Sequence, residues 1–159
     1  LDGVNRLSLH NYWPTLAADL WVYTGGDEDT PVLFEGRPPR SEGLRLQLMQ
    51  KGSLKRWYIP LGRLAEDEHL EAGALWRTFR DGPHVQIPKR RRVALLQDAL
   101  NASGHVCGSA DGVFGPTTKS AVTRAAVAYG CQAEVSRRQR RLMPVHPDLW
   151  AALHPECVV

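Results

Sequence analysis

The spacing of apolar positions changes part-way along the chain. Before residue 83 they come in short runs or alternate with polar residues. Leu20-Trp21-Val22-Tyr23 ends at Gly25-Gly26, Pro31-Val32-Leu33-Phe34 follows the acidic turn Asp27-Glu28-Asp29, and Leu44, Leu46 and Leu48 alternate with Arg45 and Gln47. Short β-branched or aromatic runs and period-2 alternation predict strands with one buried face. Lys51-Gly52-Ser53 predicts a hairpin turn into a strand at Lys55-Arg56-Trp57-Tyr58-Ile59, closed by Pro60. Ala65-Glu66-Asp67-Glu68-His69 reads as a solvated loop, and Leu75-Trp76-Arg77-Thr78-Phe79 as a last strand in preference to a short helix. Four to six short strands without a long helix predict a small antiparallel sheet or open barrel.

From Val93 the period becomes helical. Val93, Leu96, Ala99 and Leu100 fall on one helix face, and Gly104 is a suitable stop. A loop from His105 to Pro116 leads to a second helix opened by Thr117-Thr118. That helix carries Ala121, Val122, Ala125, Ala128 and Tyr129 on one side and Gly130 at its end. A polar, basic connection precedes Pro147-Asp148-Leu149-Trp150-Ala151-Ala152-Leu153, a short third helix with Pro in its first turn. The predicted class is α+β, a small antiparallel β domain over residues 1–83 followed by a three-helix domain over 84–159. The boundary falls at Gly82-Pro83-His84-Val85-Gln86-Ile87-Pro88, where two prolines bracket a short extended stretch.

Charge supports the same division. Residues 1–83 carry ten Lys/Arg against twelve Asp/Glu, and residues 84–159 carry ten against five, so the net +3 averages unlike halves. Runs at Lys89-Arg90-Arg91-Arg92, Arg137-Arg138 and Arg140-Arg141 supply most of the C-terminal excess. The total of 159 residues allows one ordinary domain or two small ones, and 43% apolar with 23% charged residues excludes wholesale disorder, a collagen repeat or a coiled coil. No apolar run approaches the ~18–20 residues of a transmembrane helix. A start at Leu1 instead of Met reads as a processed or excised fragment.

The most specific stretch is Leu96-Gln97-Asp98-Ala99-Leu100-Asn101-Ala102-Ser103-Gly104 followed by Ala110-Asp111-Gly112-Val113-Phe114-Gly115-Pro116-Thr117-Thr118. Gly112 and Gly115 suit a tight loop with positive φ, and Phe114 between them can turn inward to cap a small core. Asp111 can accept loop amides, and Pro116 with Thr117 can start a helix. The pattern LQ-x-x-L-x-x-x-G, then DG-x-FG-x-x-T, then Pro147-x-x-Trp150-x-x-Leu153 resembles the three-helix peptidoglycan-binding module attached to many bacterial cell-wall hydrolases. The resemblance covers about residues 90–155. Three features depart from it: Ala125-Ala126 stands where a Phe-Gln pair is usual, Leu142-Met143-Pro144-Val145-His146 replaces a second DG-x-x-G, and the connection from Gly130 to Pro147 is longer and more basic.

The resemblance implies non-catalytic binding of peptidoglycan, glycan and stem peptide, in a shallow groove beside the Asp111–Thr118 loop. Asp111 would fix the loop, Phe114 would support it from the core, and Thr117, Thr118 and Arg124 would make polar contacts. It places the protein in the periplasm, at the cell wall or outside the bacterium, without a cofactor, and with the β domain binding a protein partner or presenting cargo. Two other readings stand beside it: the targeting part of a peptidoglycan hydrolase whose activity lies in the β domain, and a protein–protein adaptor that keeps the fold without wall binding. In a module of this type Cys107 and Cys131 could approach and form a disulfide, with Cys131–Cys157 and three separate thiols as alternatives.

Other candidate chemistry is weaker. His105, Cys107 and Asp111 invite a zinc reading, but the spacing matches no common closed site and a polar loop is favoured. Glu66, Asp67, Glu68 and Glu71 could include a glycosidase acid, yet bunched carboxylates are more often solvated. No Gly-x-Ser-x-Gly, His-Glu-x-x-His or phosphate-binding glycine loop is present, so no catalytic residue is assigned. Basic runs can hold nucleic-acid phosphates, though a solvated face is the commoner role and nucleic acid is a disfavoured partner. Trp13, Trp21, Tyr23, Trp57, Tyr58 and Trp76 should mostly build the N-terminal core, with one or two rings exposed to stack on a sugar or anchor a partner.

Overall fold

The computed structural model describes residues 9–20, 22–23, 31–32, 54–77, 80–131, 135 and 139–155. The chain divides into two compact units, Ala17–Ile87 and Leu1–Leu16 together with Pro88–Val159. The described residues combine a small antiparallel sheet with several helices, a mixed α+β architecture.

In the unit Ala17–Ile87, strands β1 (Ala17–Asp19), β4 (Glu71–Ala72) and β5 (His84–Gln86) form a three-stranded antiparallel sheet in the order β1-β5-β4. Strands β2 (Val22–Tyr23) and β3 (Pro31–Val32) pair separately, with Val22 opposite Val32. The sheet register sets Ala18 opposite Val85 and Ala72 opposite Val85, so these three share one face. That face packs with Ala65, Leu70 and Leu75. The other face carries polar side chains: Gln86 donates to the Glu71 carboxylate, His84 Nε2 donates to Gln86 Oε1 at 3.1 Å, and His84 Nδ1 lies 3.5 Å from Asp19.

The stretch predicted as a strand at Lys55–Ile59 is helical. A π-helical turn over Leu54–Tyr58 runs into α1 (Ile59–Asp67). Residues Ala65–Asp67, read as loop, are its last turn, while Glu68 and His69 form the turn after it. Tertiary contact explains the error: helix α1 lies so close to its neighbour that a Cβ on Gly62 would sit 3.1 Å from Leu75 and 3.2 Å from Ala72. Small residues one turn apart let the backbone approach, and this contact outweighs the strand propensity of Trp57-Tyr58-Ile59. Of the last strand expected at Leu75–Phe79, Leu75 closes the 3-10 turn Gly73–Leu75, Trp76 and Arg77 are in no strand, and residues 78 and 79 lie outside the described residues; Tyr58 packs against Ala74 of that turn. The predicted strand at Leu44–Leu48 and the turn at Lys51–Ser53 lie outside the described residues.

In the second unit, α2 (Lys89–Ala102) and α3 (Pro116–Ala128) are joined by the loop 103–115, and the short helices α4 (Gln139–Leu142) and α5 (Pro147–Ala152) follow. Helices α2 and α3 end alike. Gly104 and Gly130 take left-handed conformations, His105 N bonds Leu100 O and Cys131 N bonds Ala126 O, each at 2.8 Å. Val93, Leu96 and Leu100 of α2, Ala121, Val122, Ala125 and Ala126 of α3, and Leu149, Trp150 and Leu153 are all buried. Completely burying side chains such as Leu96 and Leu100 contributes ~1.5–3 kcal/mol each.

Residues 9–16 belong to this core as well. Leu9, Tyr12 and Leu16 are buried, the Tyr12 hydroxyl donates to Val145 O at 2.7 Å, and the Trp150 indole N–H donates to Pro14 O at 2.9 Å. Met143 and Val145, from the stretch that departs from the family pattern, are completely buried. That stretch is core rather than surface loop.

Candidate functional site

The loop between α2 and α3 is held by side chains from both helices. Gln97 is 2% exposed and faces the loop at the level of Asp111–Val113. Its Nε2 donates to Asp111 Oδ1 at 2.9 Å, to Thr118 Oγ1 at 3.1 Å and to Val113 O at 3.2 Å, and its Oε1 accepts from Gly112 N at 2.8 Å. One helical turn on, Asn101 repeats the arrangement: Nδ2 donates to Gly108 O at 2.8 Å and Oδ1 accepts from Cys107 N at 2.9 Å. Positions i and i+4 share a helix face, so the two amides clamp the loop at two levels. Gly112 N, Cys107 N and Gly108 O find these partners on α2, while Val113 O also accepts from Gly115 N within the loop at 2.9 Å.

Arginines complete the clamp. Arg90 Nε donates to Asp111 O at 3.2 Å, and Arg124 on α3 donates to Val106 O at 2.8 Å and to Ser120 Oγ at 2.9 Å. The loop passes against α2 so closely that a Cβ on Gly112, whose φ is +74°, would meet Arg90 Cγ and O at 2.5 Å. Only glycine fits this backbone angle and this approach.

The site residues named from the sequence take distinct places. Asp111 is exposed, and its Oδ1 also accepts from Val113 N at 2.8 Å. Hydrogen bonding from Gln97, then from Val113, holds its carboxyl below the usual carboxylate value. Phe114 is half-buried, and Thr117 is exposed in the first turn of α3. Thr118 is 3% exposed, with its hydroxyl turned inward onto Gln97 and Val113, where it joins α3 to the loop. Arg124 is exposed on α3. Gln97 stood in the LQ-x-x-L pattern, but its role depends on partners 14–21 residues away, which no local pattern reveals.

The expected Cys107–Cys131 disulfide is not formed: both are free thiols. Cys107 is buried and donates to Gln97 O at 3.6 Å, whereas Cys131 lies beyond the end of α3 with its thiol toward Tyr129 O at 3.5 Å. Burial pushes the Cys107 thiol up from its ordinary value of 9.0. Cys157 lies outside the described residues. His105, Cys107 and Asp111 do not gather as a metal ligand set: His105 packs edge-on against Tyr129, Cys107 turns to Gln97 O, and Asp111 is bound to Gln97.

Among the basic residues, Lys89, Arg90 and Arg91 are exposed at the start of α2, whereas Arg92 is buried. Positive charge at a helix N-terminus opposes the helix dipole, so the run costs α2 stability. Arg137, Arg138 and the side chain of Arg140 lie outside the described residues. Glu66, Asp67 and Glu68 are exposed, while Glu71 accepts from Gln86. Of the aromatic residues, Trp13 is exposed, Trp57 and Trp76 are half-buried and Tyr58 is buried; Trp21 and the Tyr23 side chain lie outside the described residues.

Residues 89–133, from the start of α2 through the loop and α3, match the family model of a peptidoglycan binding domain. No curated protein and no solved structure matches the chain significantly.

Proposed function

We propose that the chain binds bacterial peptidoglycan without cleaving it and tethers the unit Ala17–Ile87 to the cell wall. The observation that carries this reading is the family match over residues 89–133, which includes the loop that Gln97 and Asn101 clamp. A loop clamped at both levels before a ligand arrives loses little entropy on binding.

In this reading the helices α2, α3 and α5 form the three-helix module. The polymer lies beside the Asp111–Thr118 loop and the first turns of α3. Thr117 and Arg124 supply polar contacts from the surface, while Asp111, Phe114 and Thr118 hold the loop from behind. Arg124 is an exposed residue whose Nη1 bonds Ser120 Oγ and whose Nη2 bonds Val106 O, and each of these nitrogens carries a second N–H. Guanidinium binds carboxylates in a two-pronged geometry, and peptidoglycan stem peptides carry carboxylates. The exposed Lys89, Arg90 and Arg91 add a positive field of the matching sign. The protein would then be wall-associated in the bacterial envelope, with the sheet unit presenting cargo or binding a protein partner.

The test is retention of the intact chain and of Thr117→Ala and Arg124→Ala variants by insoluble peptidoglycan. Both variants should stay folded and lose retention; unchanged retention would remove the loop face as the site. Release of soluble muropeptides by the chain would instead assign it to the hydrolases.

A further inference from the structure

Asp111 is exposed and is followed directly by a glycine, a sequence with chemistry of its own. In an Asp-Gly step the glycine nitrogen can attack the aspartyl carboxyl, because glycine has no Cβ to hinder the approach. Here Gly112 N would add to Asp111 Cγ. A C–N bond forms, and the carboxyl OH and the amide hydrogen leave together as water. The product is a five-membered succinimide, which water reopens at either of its two carbonyls. Opening at the side-chain carbonyl restores aspartate. Opening at the main-chain carbonyl gives isoaspartate, in which the chain runs through Cβ and Cγ and the α-carboxylate is free. Water is the sole co-reactant, released in the first step and taken up in the second.

The folded loop opposes the first step at every group that takes part. Both ends of the 111–112 peptide unit are bonded to α2: Arg90 Nε donates to Asp111 O at 3.2 Å, and Gly112 N donates to Gln97 Oε1 at 2.8 Å. Attack requires this unit to turn until the nitrogen lone pair faces Cγ, and turning breaks both bonds. Gly112 also sits tightly against Arg90, where a Cβ would meet Cγ and O at 2.5 Å. The attacked carboxyl is held as well. Its Oδ1 accepts from Gln97 Nε2 at 2.9 Å and from Val113 N at 2.8 Å. These bonds favour the carboxylate, a far poorer electrophile than the neutral acid, and they hold the Asp111 carboxyl below its usual value. One amide side chain, Gln97, therefore restrains the attacking N–H and the attacked carboxyl together. We infer that Asp111-Gly112 is a latent isoaspartate-forming site that Gln97 keeps closed in the folded chain. An isoaspartate adds a carbon to the main chain, so Gly112 loses either its bond to Gln97 or its seat against Arg90, and a loop once modified stays loose. The inference is independent of what the loop binds.

The experiment ages the full chain at physiological temperature and neutral pH beside the free peptide of residues 105–118. Isoaspartate is counted by enzymatic methyl transfer to the free α-carboxylate. Electron-transfer fragmentation of digests places it, which separates this step from Asp2-Gly3 and Asp81-Gly82. Reaction proceeds from the opened loop, so the folded chain should form isoaspartate at residue 111 at least about tenfold more slowly than the peptide. Gln97→Leu should raise the rate at least about fivefold. Tyr12→Phe removes a bond to Val145 O that is no part of the clamp, and its rate should stay within about twofold of wild type. The isolated isoaspartyl fraction should unfold at lower urea than the parent chain. A peptide that forms no isoaspartate would remove the site, and equal rates in chain and peptide would show that the fold does not close it. That comparison stands even where Gln97→Leu fails to fold. Gln97→Leu at the wild-type rate, or equal acceleration by both substitutions, would overturn Gln97 as the guard.

Discussion

Replacing Gln97 by Leu removes the side chain that joins α2 to the loop and to the start of α3. Leucine is close in size, so the change deletes hydrogen bonds without opening a large cavity. Gly112 N–H loses its acceptor and the buried Thr118 hydroxyl loses its donor. A buried polar group left without a partner costs ~1–3 kcal/mol; Gly112 is only half-buried and the Thr118 hydroxyl keeps its own bond to Val113 O, so the two together cost about 2–4 kcal/mol. Added apolar burial returns ~1 kcal/mol, leaving a net destabilisation of about 1–3 kcal/mol. For a domain of this size that is about 5–20 °C in melting temperature. Urea and thermal unfolding followed by far-ultraviolet circular dichroism reads it directly, because α2 and α3 supply much of the helical signal.

Gln97→Glu makes a sharper control. It keeps an acceptor for Gly112 N–H but loses the donor and sets a second carboxylate beside Asp111, now 2.9 Å from Nε2. At pH 7 the variant should be at least as unstable as Gln97→Leu. Like charge raises the pKa of the pair, so near about pH 4–5 one carboxyl takes up a proton and can donate to the other, and the deficit should shrink. A Gln97→Leu protein within ~0.5 kcal/mol of wild type, or a Gln97→Glu deficit independent of pH, would refute the clamp.

Three further outcomes follow from the same contacts. The folded state favours the ionised form of Asp111, so its contribution is complete above the ordinary value of 3.8 and fades as the pH falls through the lowered folded value. Wild type should lose its stability advantage over Asp111→Asn in that acid window, as read by urea midpoints against pH. In the native chain at pH 8 a thiol reagent should label Cys131 rapidly and Cys107 only on unfolding, and mass spectrometry of a peptide digest should find no Cys107–Cys131 link. Tyr12→Phe should cost about 0.5–1.5 kcal/mol, the worth of its buried bond to Val145 O; no change would detach residues 9–16 from the C-terminal core.

The loop was readable because Gly112, Pro116 and Asp111 act through their own backbone. A positive φ, a fixed φ and an acceptor close to its donor are local properties, and the motif encodes them. Helices α2, α3 and α5 were readable from their apolar faces and end signals, with Gly104, Gly130 and Pro147 where the structure uses them. What escaped depends on distance along the chain. Tyr12 and Pro14 reach partners more than 130 residues away. Lys55–Ile59 looks like a strand until Ala72 and Leu75 are placed beside Gly62. Thr118 looks like a surface hydroxyl until Gln97 claims it. The same is true of the cysteines, where proximity to helix ends suggested a bridge that the direction of each thiol rules out.

The most direct test is co-sedimentation of the intact chain with purified insoluble peptidoglycan across salt concentrations. Saturable binding that weakens as salt screens the basic face, and that Thr117→Ala and Arg124→Ala reduce, is the predicted result. A chain that stays in the supernatant at low and moderate salt would contradict wall binding.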